Sequence, residues 1–497
     1  MRGHTGRVSR VACVRFSVPP LASFAMATTA EPPQNPTSAL ESSAGRFDAV
    51  FKAYDIRGLC PGQIDADMVR AIGAGFATFA LAEDPQTTRV LIGRDMRPTG
   101  VELSAAFAEG VCAVGLDVVD LGLCSTDEVY FASGRLSAPA AMLTASHNPA
   151  EYNGIKLCLA EAKPVGVDSG LTTIQTVAAA GSWAVAAKTG QVSQLDVLDM
   201  FADHVRSFVD VETLKPVRVV ADTANGMGGL VVPAVFDSLP MTLDVLFGEL
   251  DGTFPNHPAD PIQPENQADL RARVVETAAD IGLAFDGDAD RVFLVDENGV
   301  GLSGSTTTAI IAAAMLERFP GSPVIYNLIC SKAVPEVITE LGGTPIRTRV
   351  GHSFIKETMA TTGAVFGGEH SAHYYFRDNW RADSGLIAAL VVLERMAVSG
   401  QPLSELRIPF ERYTASGEIN SRVDDPLATI AEVRSEVTGR YAHATTDELD
   451  GLTVDLGDWW FNLRASNTEP LLRLNLEAAD PDSCSARVEE LLTLIRG

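Results

Sequence analysis

Long apolar runs are missing from this sequence. No stretch approaches the ~20 residues that a bilayer-spanning helix requires, so no membrane-integrated form is expected. Basic residues are scarce: 38 Lys and Arg stand against 64 Asp and Glu, a formal net charge of −26. Nucleic acids are held by clustered cations, so they are excluded as partners. The same imbalance opposes any anionic ligand, yet charges more than roughly 8 Å apart are screened at physiological salt. A phosphate therefore needs only a local basic cluster. Cysteine is sparse as well; the seven present are scattered and form no Cys-x-x-Cys pair. That excludes a zinc site of this type and a disulfide framework, and it fits a reducing cytoplasm. Nucleotide fingerprints are also missing. There is no Gly-x-x-x-x-Gly-Lys-Ser/Thr loop, and Gly226-Met-Gly228 lacks the third glycine of a dinucleotide site, so it reads as a tight turn.

What is present is a chain of 497 residues, 46% hydrophobic, too long for one core. Residues 1–45 stand apart. Arg2, Arg7, Arg10 and Arg15 precede the first acid, Glu31, and a Pro/Ser/Thr-rich stretch follows. This reads as a disordered or mis-assigned leader, with Met26 as an internal start and a targeting segment as the alternative. From residue 46 short apolar runs alternate with amphipathic stretches, the mark of parallel-sheet α/β layers. Strands are expected at Thr88–Ile92, Leu116–Leu121, Ala138–Leu143, Pro216–Ala221, Ile281–Phe285 and Pro323–Asn327. Helices are expected at Val101–Val114, Asp196–Val209, Thr306–Leu316 and Ser384–Val398. The pattern gives α/β units over 46–190, 191–298 and 299–408, and a smaller α+β unit over 409–497.

Four loops could carry chemistry. In Asp286-Gly-Asp288-Ala-Asp290-Arg291, three alternating carboxylates can converge on one hard divalent cation, and Mg²⁺ suits a site that also takes a phosphate oxygen. A calcium EF-hand shares the spacing and even has Glu297 at its twelfth position, but Arg291 stands where that loop needs Gly. An Asp-nucleophile phosphatase would carry Thr or Val at Asp290. In Thr144-Ala-Ser146-His-Asn-Pro149 the serine is a weak nucleophile unless activated or already loaded. No Gly-x-Ser-x-Gly elbow surrounds it, and an adjacent histidine such as His147 rarely reaches its neighbour's hydroxyl. In Gly368-Glu369-His370-Ser371-Ala372-His373, Glu369 and Ser371 can face one side of an extended loop and grip sugar hydroxyls; His370 reads as structural. In Arg464-Ala-Ser466-Asn467-Thr468-Glu-Pro470, a forked guanidinium, hydroxyls and backbone N–H groups can cradle a phosphate. Each loop alone also has a bland reading, as a polar turn or a helix cap.

Together, and in this order, the loops closely resemble the α-D-phosphohexomutase superfamily, in its phosphomannomutase/phosphoglucomutase branch. Lys52-Ala-Tyr54-Asp-Ile-Arg57-Gly58, Asn153-Gly-Ile-Lys156 and Gly351-His352-Ser-Phe-Ile-Lys356 extend the likeness from about Phe51 to the C-terminus. The resemblance implies four domains around a central cleft, three similar α/β domains and a smaller C-terminal one. It implies reversible phosphoryl transfer between O1 and O6 of a hexose phosphate through phospho-Ser146 and a hexose 1,6-bisphosphate. Ser146, Asp286, Asp288 and Asp290 would hold Mg²⁺. Glu369 and Ser371 would bind sugar hydroxyls, and Arg464, Ser466, Asn467 and Thr468 the phosphate that stays in place. Tyr54, Arg57, Lys156, Arg291, His352 and His373 would lie near the reacting groups, with Lys156, His373 and Arg57 as candidate proton carriers. A monomer or weak homo-oligomer is expected. Phosphoglucosamine mutase is the nearest alternative, although Asn467 in place of Gly speaks for the phosphomannomutase branch. A sugar-phosphate phosphatase and a non-enzymatic metal-binding protein are more distant alternatives.

The chain departs from the family pattern in three places. Ala289 and Ala372 stand where many relatives have Gly. Tyr326-Asn-Leu-Ile-Cys330 lacks a lysine that relatives often carry, for which Lys332 or Lys356 could substitute.

Overall fold

The computed structural model describes residues 45–465 and 471–497. The leader expected over 1–45 lies outside these residues except for its last member.

Four sheets follow one another along the chain. In the first, β1 (Ile56–Leu59), β2 (Arg89–Arg94), β3 (Asp117–Leu123), β4 (Ala140–Leu143), β5 (Tyr152–Leu159) and β6 (Val192–Gln194) lie in the order β1-β5-β4-β2-β3-β6. Pairing is parallel from β4 through β2 and β3 to β6, and antiparallel from β4 to β5 and β5 to β1. The helices α1 (Ala66–Glu83), α2 (Gly100–Ala113) and α3 (Thr126–Leu136) connect these strands. Helices α1 and α2 pack closely because Gly110 brings no side chain to the crossing; a Cβ there would lie 2.0 Å from the Arg70 carbonyl oxygen.

The second sheet runs β10-β9-β7-β8, built from β7 (Arg218–Asp222), β8 (Thr242–Leu246), β9 (Ile281–Phe285) and β10 (Val292–Asp296). The third runs β12-β11-β13-β14, built from β11 (Pro323–Asn327), β12 (Thr344–Thr348), β13 (Phe366–Gly368) and β14 (Tyr374–Phe376). Helices α4 (Gly304–Arg318), α5 (His352–Thr362) and α6 (Gly385–Ser399) belong to this third unit. The last sheet is wholly antiparallel, in the order β15-β19-β18-β17-β16: β15 (Thr414–Arg422), β16 (Thr445–Asp447), β17 (Leu452–Asp455), β18 (Trp459–Ala465) and β19 (Leu471–Ala478). Three α/β units and a smaller α+β unit are therefore observed, and the expected strands and helices are found with ends shifted by a few residues.

The repeat goes deeper than strand–helix alternation. In each α/β unit a parallel strand turns back as an antiparallel hairpin: β4–β5, β9–β10 and β13–β14. The serine, triple-Asp and Glu369 loops are the three hairpin connections. In the last unit Arg464 ends β18, which pairs antiparallel with β19. Open α/β sheets bind ligands outside the carboxyl ends of their parallel strands, so this topology aims the loops of the three α/β units at equivalent positions.

One apolar core runs through the first three units, with Phe131, Phe201, Phe285 and Leu390 among its members. Separate cores surround Phe76 and Phe107 in the first unit and Phe461 and Leu474 in the last. Among the described residues no single helix is long and apolar enough to cross a membrane.

Candidate active site

Ser146 sits in the left-handed backbone region, at φ 49°. That conformation is uncommon outside Gly, Asn and Asp and persists only where neighbours enforce it. Arg97 is the main enforcer. Its guanidinium is fully buried and uses all five N–H groups: Nε donates to Asp95 Oδ2, Nη1 to the carbonyls of Pro149 and Tyr152, and Nη2 to those of Ser146 and Asn148, at 2.7–3.1 Å. The Ser146 N–H donates to Thr144 Oγ1 at 2.9 Å. The serine loop is thereby held at its backbone, which leaves the hydroxyl free to face the triple-Asp loop.

Ser146 Oγ donates to Asp286 Oδ2 at 2.7 Å. The loops touch because Gly287 carries no side chain; a Cβ there would lie 2.5 Å from the Ser146 carbonyl oxygen. Behind them the expected tight turn supports the loop, with Met227 N donating to the Gly287 carbonyl. The buried carboxylates Asp286, Asp288 and Asp290 each offer an oxygen within 4.8 Å of the others'. The flanks are strands of one hairpin, which disposes of the EF-hand reading.

Arg291 Nε donates to Asp286 Oδ2 at 2.9 Å. Lys156 Nζ bridges Asp288 Oδ2 and Asp290 Oδ2 at 2.7 Å each. Three carboxylates thus face two fixed cations. Asp288 Oδ1 and Asp290 Oδ1 are buried and accept no hydrogen bond, although buried acceptors are normally satisfied. An oxygen-lined site with residual negative charge and two open acceptors fits a hard divalent cation. Titration behaviour agrees. Burial pushes Asp286 up to about 7 against the pull of Arg291. Burial acts in the same sense on Asp288, but the Lys156 ammonium outweighs it and holds that carboxyl below its ordinary value. Burial opposes the charge on Lys156, yet Asp288 and Asp290 hold the ammonium protonated well beyond its ordinary range.

His373 enters from the third unit. Its Nδ1 lies 2.7 Å from Asp383 Oδ2 and 3.9 Å from Asp290 Oδ1. Burial disfavours its charged form, but Asp290 and Asp383 win and raise its pKa. Behind Asp383 the buried Lys356 ammonium lies 3.3 Å from Oδ1 and 3.7 Å above the Tyr130 ring. Lys332 instead ties to Asp455 and the Gly457 carbonyl in the last unit. Of the two lysines weighed as substitutes, only Lys356 adjoins this network.

A second cluster surrounds Glu369. Its Oε1 accepts from Tyr375 Oη at 2.6 Å; its Oε2 accepts from Asn327 Nδ2 at 3.0 Å and Gly351 N at 3.2 Å. Ser371 lies half-buried two residues on. His370 Nδ1 rests 3.1 Å from Ser305 Oγ, as a structural histidine would. Tyr54 donates to the Val350 carbonyl at 3.2 Å and meets His352 edge-on, with ring centroids 5.5 Å apart. Burial pushes His352 down to about 3, so it is neutral. Arg57 donates to Asn148 Oδ1 at 2.6 Å and to Asp55 Oδ2 at 2.5 Å, which places it against the serine loop. Arg464 lies 3.5 Å from Glu418 and 3.8 Å from Asp450; Asp450 in turn accepts from Val350 N. Ser466, Asn467 and Thr468 lie outside the described residues.

The structure therefore joins Ser146, Asp286, Asp288, Asp290, Lys156, Arg291 and His373 in one network, with Arg57 at its edge. Tyr54, His352, Glu369 and Arg464 form a neighbouring set around Val350 and Gly351. One expectation is corrected: His147 Nδ1 does approach Ser146 Oγ, at 3.4 Å, because the left-handed turn folds the two side chains together. Arg97, Thr126 and Asp383 are participants that the sequence did not reveal. Ala289 and Ala372 also adopt positive φ, 61° and 65°. Glycine takes that conformation without steric cost, whereas another L-residue loses roughly 1–2 kcal/mol.

Fold and site together define a class: a four-unit α/β protein that sets a serine hydroxyl against a buried cluster of three aspartates. The phosphoglucomutase/phosphomannomutase models for α/β/α domains I, II and III match residues 48–183, 199–299 and 303–413, and the model for the C-terminal domain matches 418–494. The chain belongs to the phosphoglucomutase/phosphomannomutase family. It is 40% identical over 455 residues to a phosphomannomutase of Salmonella montevideo, covering 90% of this chain and 98% of that one. It is likewise 40% identical over 450 residues to phosphohexose mutases of Xanthomonas campestris pv. campestris, covering 90% and 99%. A crystal structure of a phosphoglucomutase/phosphomannomutase family protein from Burkholderia thailandensis superposes with a TM-score of 0.81 at 31% identity, over 90% of this chain and 98% of that chain.

Proposed function

We propose that this enzyme is a phosphomannomutase with phosphoglucomutase activity, moving a phosphoryl group between O6 and O1 of a hexose by way of Ser146. The observation that carries the reading is the 2.7 Å contact between Ser146 Oγ and Asp286 inside a buried carboxylate cluster with unsatisfied oxygens. A serine used only for structure has no need of a metal site built against its hydroxyl.

Asp286, Asp288 and Asp290 would hold Mg²⁺ beside an oxygen of phospho-Ser146. The bound ion supplies charge neutralisation at the transferring phosphoryl group, where positioning and electrostatics do most of the catalytic work. Arg291, whose Nη2 lies 3.5 Å from Ser146 Oγ, adds a second positive charge at the same oxygen. Glu369 and Ser371 orient the sugar hydroxyls. Arg464, with Ser466, Asn467 and Thr468, holds the phosphate that is not being transferred. Phospho-Ser146 donates to the free O1 or O6 hydroxyl, the hexose 1,6-bisphosphate turns around, and its other phosphate returns to Ser146.

The proton must pass between the sugar hydroxyl and a protein group. Lys156 is fixed as a cation by two carboxylates, and the Arg57 guanidinium, a donor only, is tied to Asp55 and Asn148. His373 is the remaining candidate: Asp383 occupies Nδ1, so Nε2 is the atom that exchanges a proton with substrate.

Parallel assays with mannose 1-phosphate and glucose 1-phosphate, each with a trace of the matching bisphosphate, test the reading. Fast isomerisation with little free phosphate is expected, and Ser146→Ala should abolish it. Release of inorganic phosphate as the main product would refute it.

A further inference from the structure

Thr126 opens helix α3, far from every motif that points to chemistry. Its neighbours fix the helix start through a capping box: Glu128 N donates to Ser125 Oγ, and Ser125 N donates to Glu128 Oε2, both at 3.3 Å. The first N–H groups of a helix have no intrahelical acceptor. Thr126 uses its own on the Asp288 carbonyl oxygen at 3.0 Å, while its Oγ1 donates to Asp288 Oδ2 at 2.5 Å. One residue thus grips both the main chain and the side chain of an aspartate 162 positions away.

We infer that Thr126 is a positioning residue of the metal site, sharing one oxygen of Asp288 with Lys156 and so reserving the other for the ion. This rests on the reading of Asp288 as a metal ligand. Three features support it. Thr126 is completely buried, so water does not compete for its hydroxyl. Its β-branched side chain has few rotamers, so the hydroxyl is held in place. Asp288 Oδ2 is saturated by Thr126 and Lys156, whereas Oδ1 has no partner at all. A ligand carboxylate divided in this way binds through one oxygen in a fixed orientation, which is what outer partners of metal ligands provide.

The next residue extends the brace. Asp127 accepts from Ser125 Oγ at 2.5 Å and from Ser384 Oγ at 2.7 Å. Ser384 caps α6 and follows Asp383, the partner of His373. The first turn of α3 therefore ties the metal loop to the element that carries the histidine's partner.

The test is Mn²⁺ binding to the full-length protein, followed by electron paramagnetic resonance of the free ion and independent of turnover. Thr126→Val keeps shape and N–H but removes the hydroxyl; it should weaken binding about 10–100-fold. Thr126→Ser, which restores the donor, should bind within about threefold of the parent, and Thr126→Cys, a near-isostere with a weak donor, should fall between. Circular dichroism and metal-free melting, near the parent's, establish that the variants are folded. Asp288→Asn separates the two claims. If it binds Mn²⁺ like the parent, the metal reading fails. If it loses binding while Thr126→Val and Thr126→Cys stay within about threefold of the parent, the positioning role of Thr126 is overturned and the metal reading stands.

Discussion

Arg97 offers a strict test of how the serine loop is held. Its five N–H groups reach Asp95 and the carbonyls of Ser146, Asn148, Pro149 and Tyr152, all from a fully buried position. Arg97→Lys keeps the charge beside Asp95 but replaces a planar fork with one ammonium carrying three donors. At least two carbonyls lose their partner, and the shorter reach makes three the more realistic number. A buried acceptor left unsatisfied costs about 1–2 kcal/mol, so three give about 3–6 kcal/mol. That cost falls on the loop spanning 144–152 and not on the whole molecule. The assay is amide hydrogen exchange of that segment. At about 1.4 kcal/mol per tenfold, protection should drop by roughly 10²–10⁴, and turnover should fall with it while distant helices such as α7 (Pro481–Arg496) keep theirs. Protection within about tenfold of the parent would show that the loop does not depend on these bonds.

Two further predictions concern the opposite wall and the proton carrier. Glu369→Gln places an amide donor where Tyr375, Asn327 and Gly351 already donate; kcat/KM should fall by about 10²–10³, the price of roughly 3–4 kcal/mol of mismatched buried bonds, and an unchanged value would remove Glu369 from the site. In metal-free protein, Asp286 and His373 both titrate above their ordinary values. A raised folded-state pKa means that the folded protein binds the extra proton, so this stability is present at low pH and is lost as pH rises through the folded values. The stabilisation that His373 contributes should therefore shrink between about pH 5 and 8, read as the melting-temperature difference between the parent and His373→Gln, and stabilisation of the parent by Mg²⁺ should grow over the same range as Asp286 gives up its proton; differences that do not change with pH would contradict the assigned environments.

The parts of the site that the sequence made legible are those written in short runs of residues. Asp286, Asp288 and Asp290 alternate within one loop, and Glu369, Ser371 and His373 within another, so residue type and spacing carry the chemistry locally. The buried strands β9 (IGLAF) and β11 (PVIYN) were equally plain, being apolar runs between turns. What stayed hidden depends on distant partners. Arg97 looks like any arginine after a strand, and its role exists only because the chain returns 49–55 residues later. The capping box around Thr126 could be read as a helix start, but nothing in it points to Asp288. Asp383 sits ten positions from His373 across the β14 turn, a separation with no periodic signature. The left-handed φ values of Ser146, Ala289 and Ala372 have no local cue in residues of these types.

The central claim is that Ser146 carries the phosphoryl group and returns it to sugar. Its most direct test is a single-turnover chase: protein labelled with ³²P on Ser146 is mixed with excess unlabelled mannose 1-phosphate and quenched within the first turnover. The account predicts that label leaves the protein and appears first in hexose 1,6-bisphosphate and then in hexose monophosphate, with Ser146→Ala never labelled. Label that stays on the protein through turnover, or that emerges as inorganic phosphate, would contradict it.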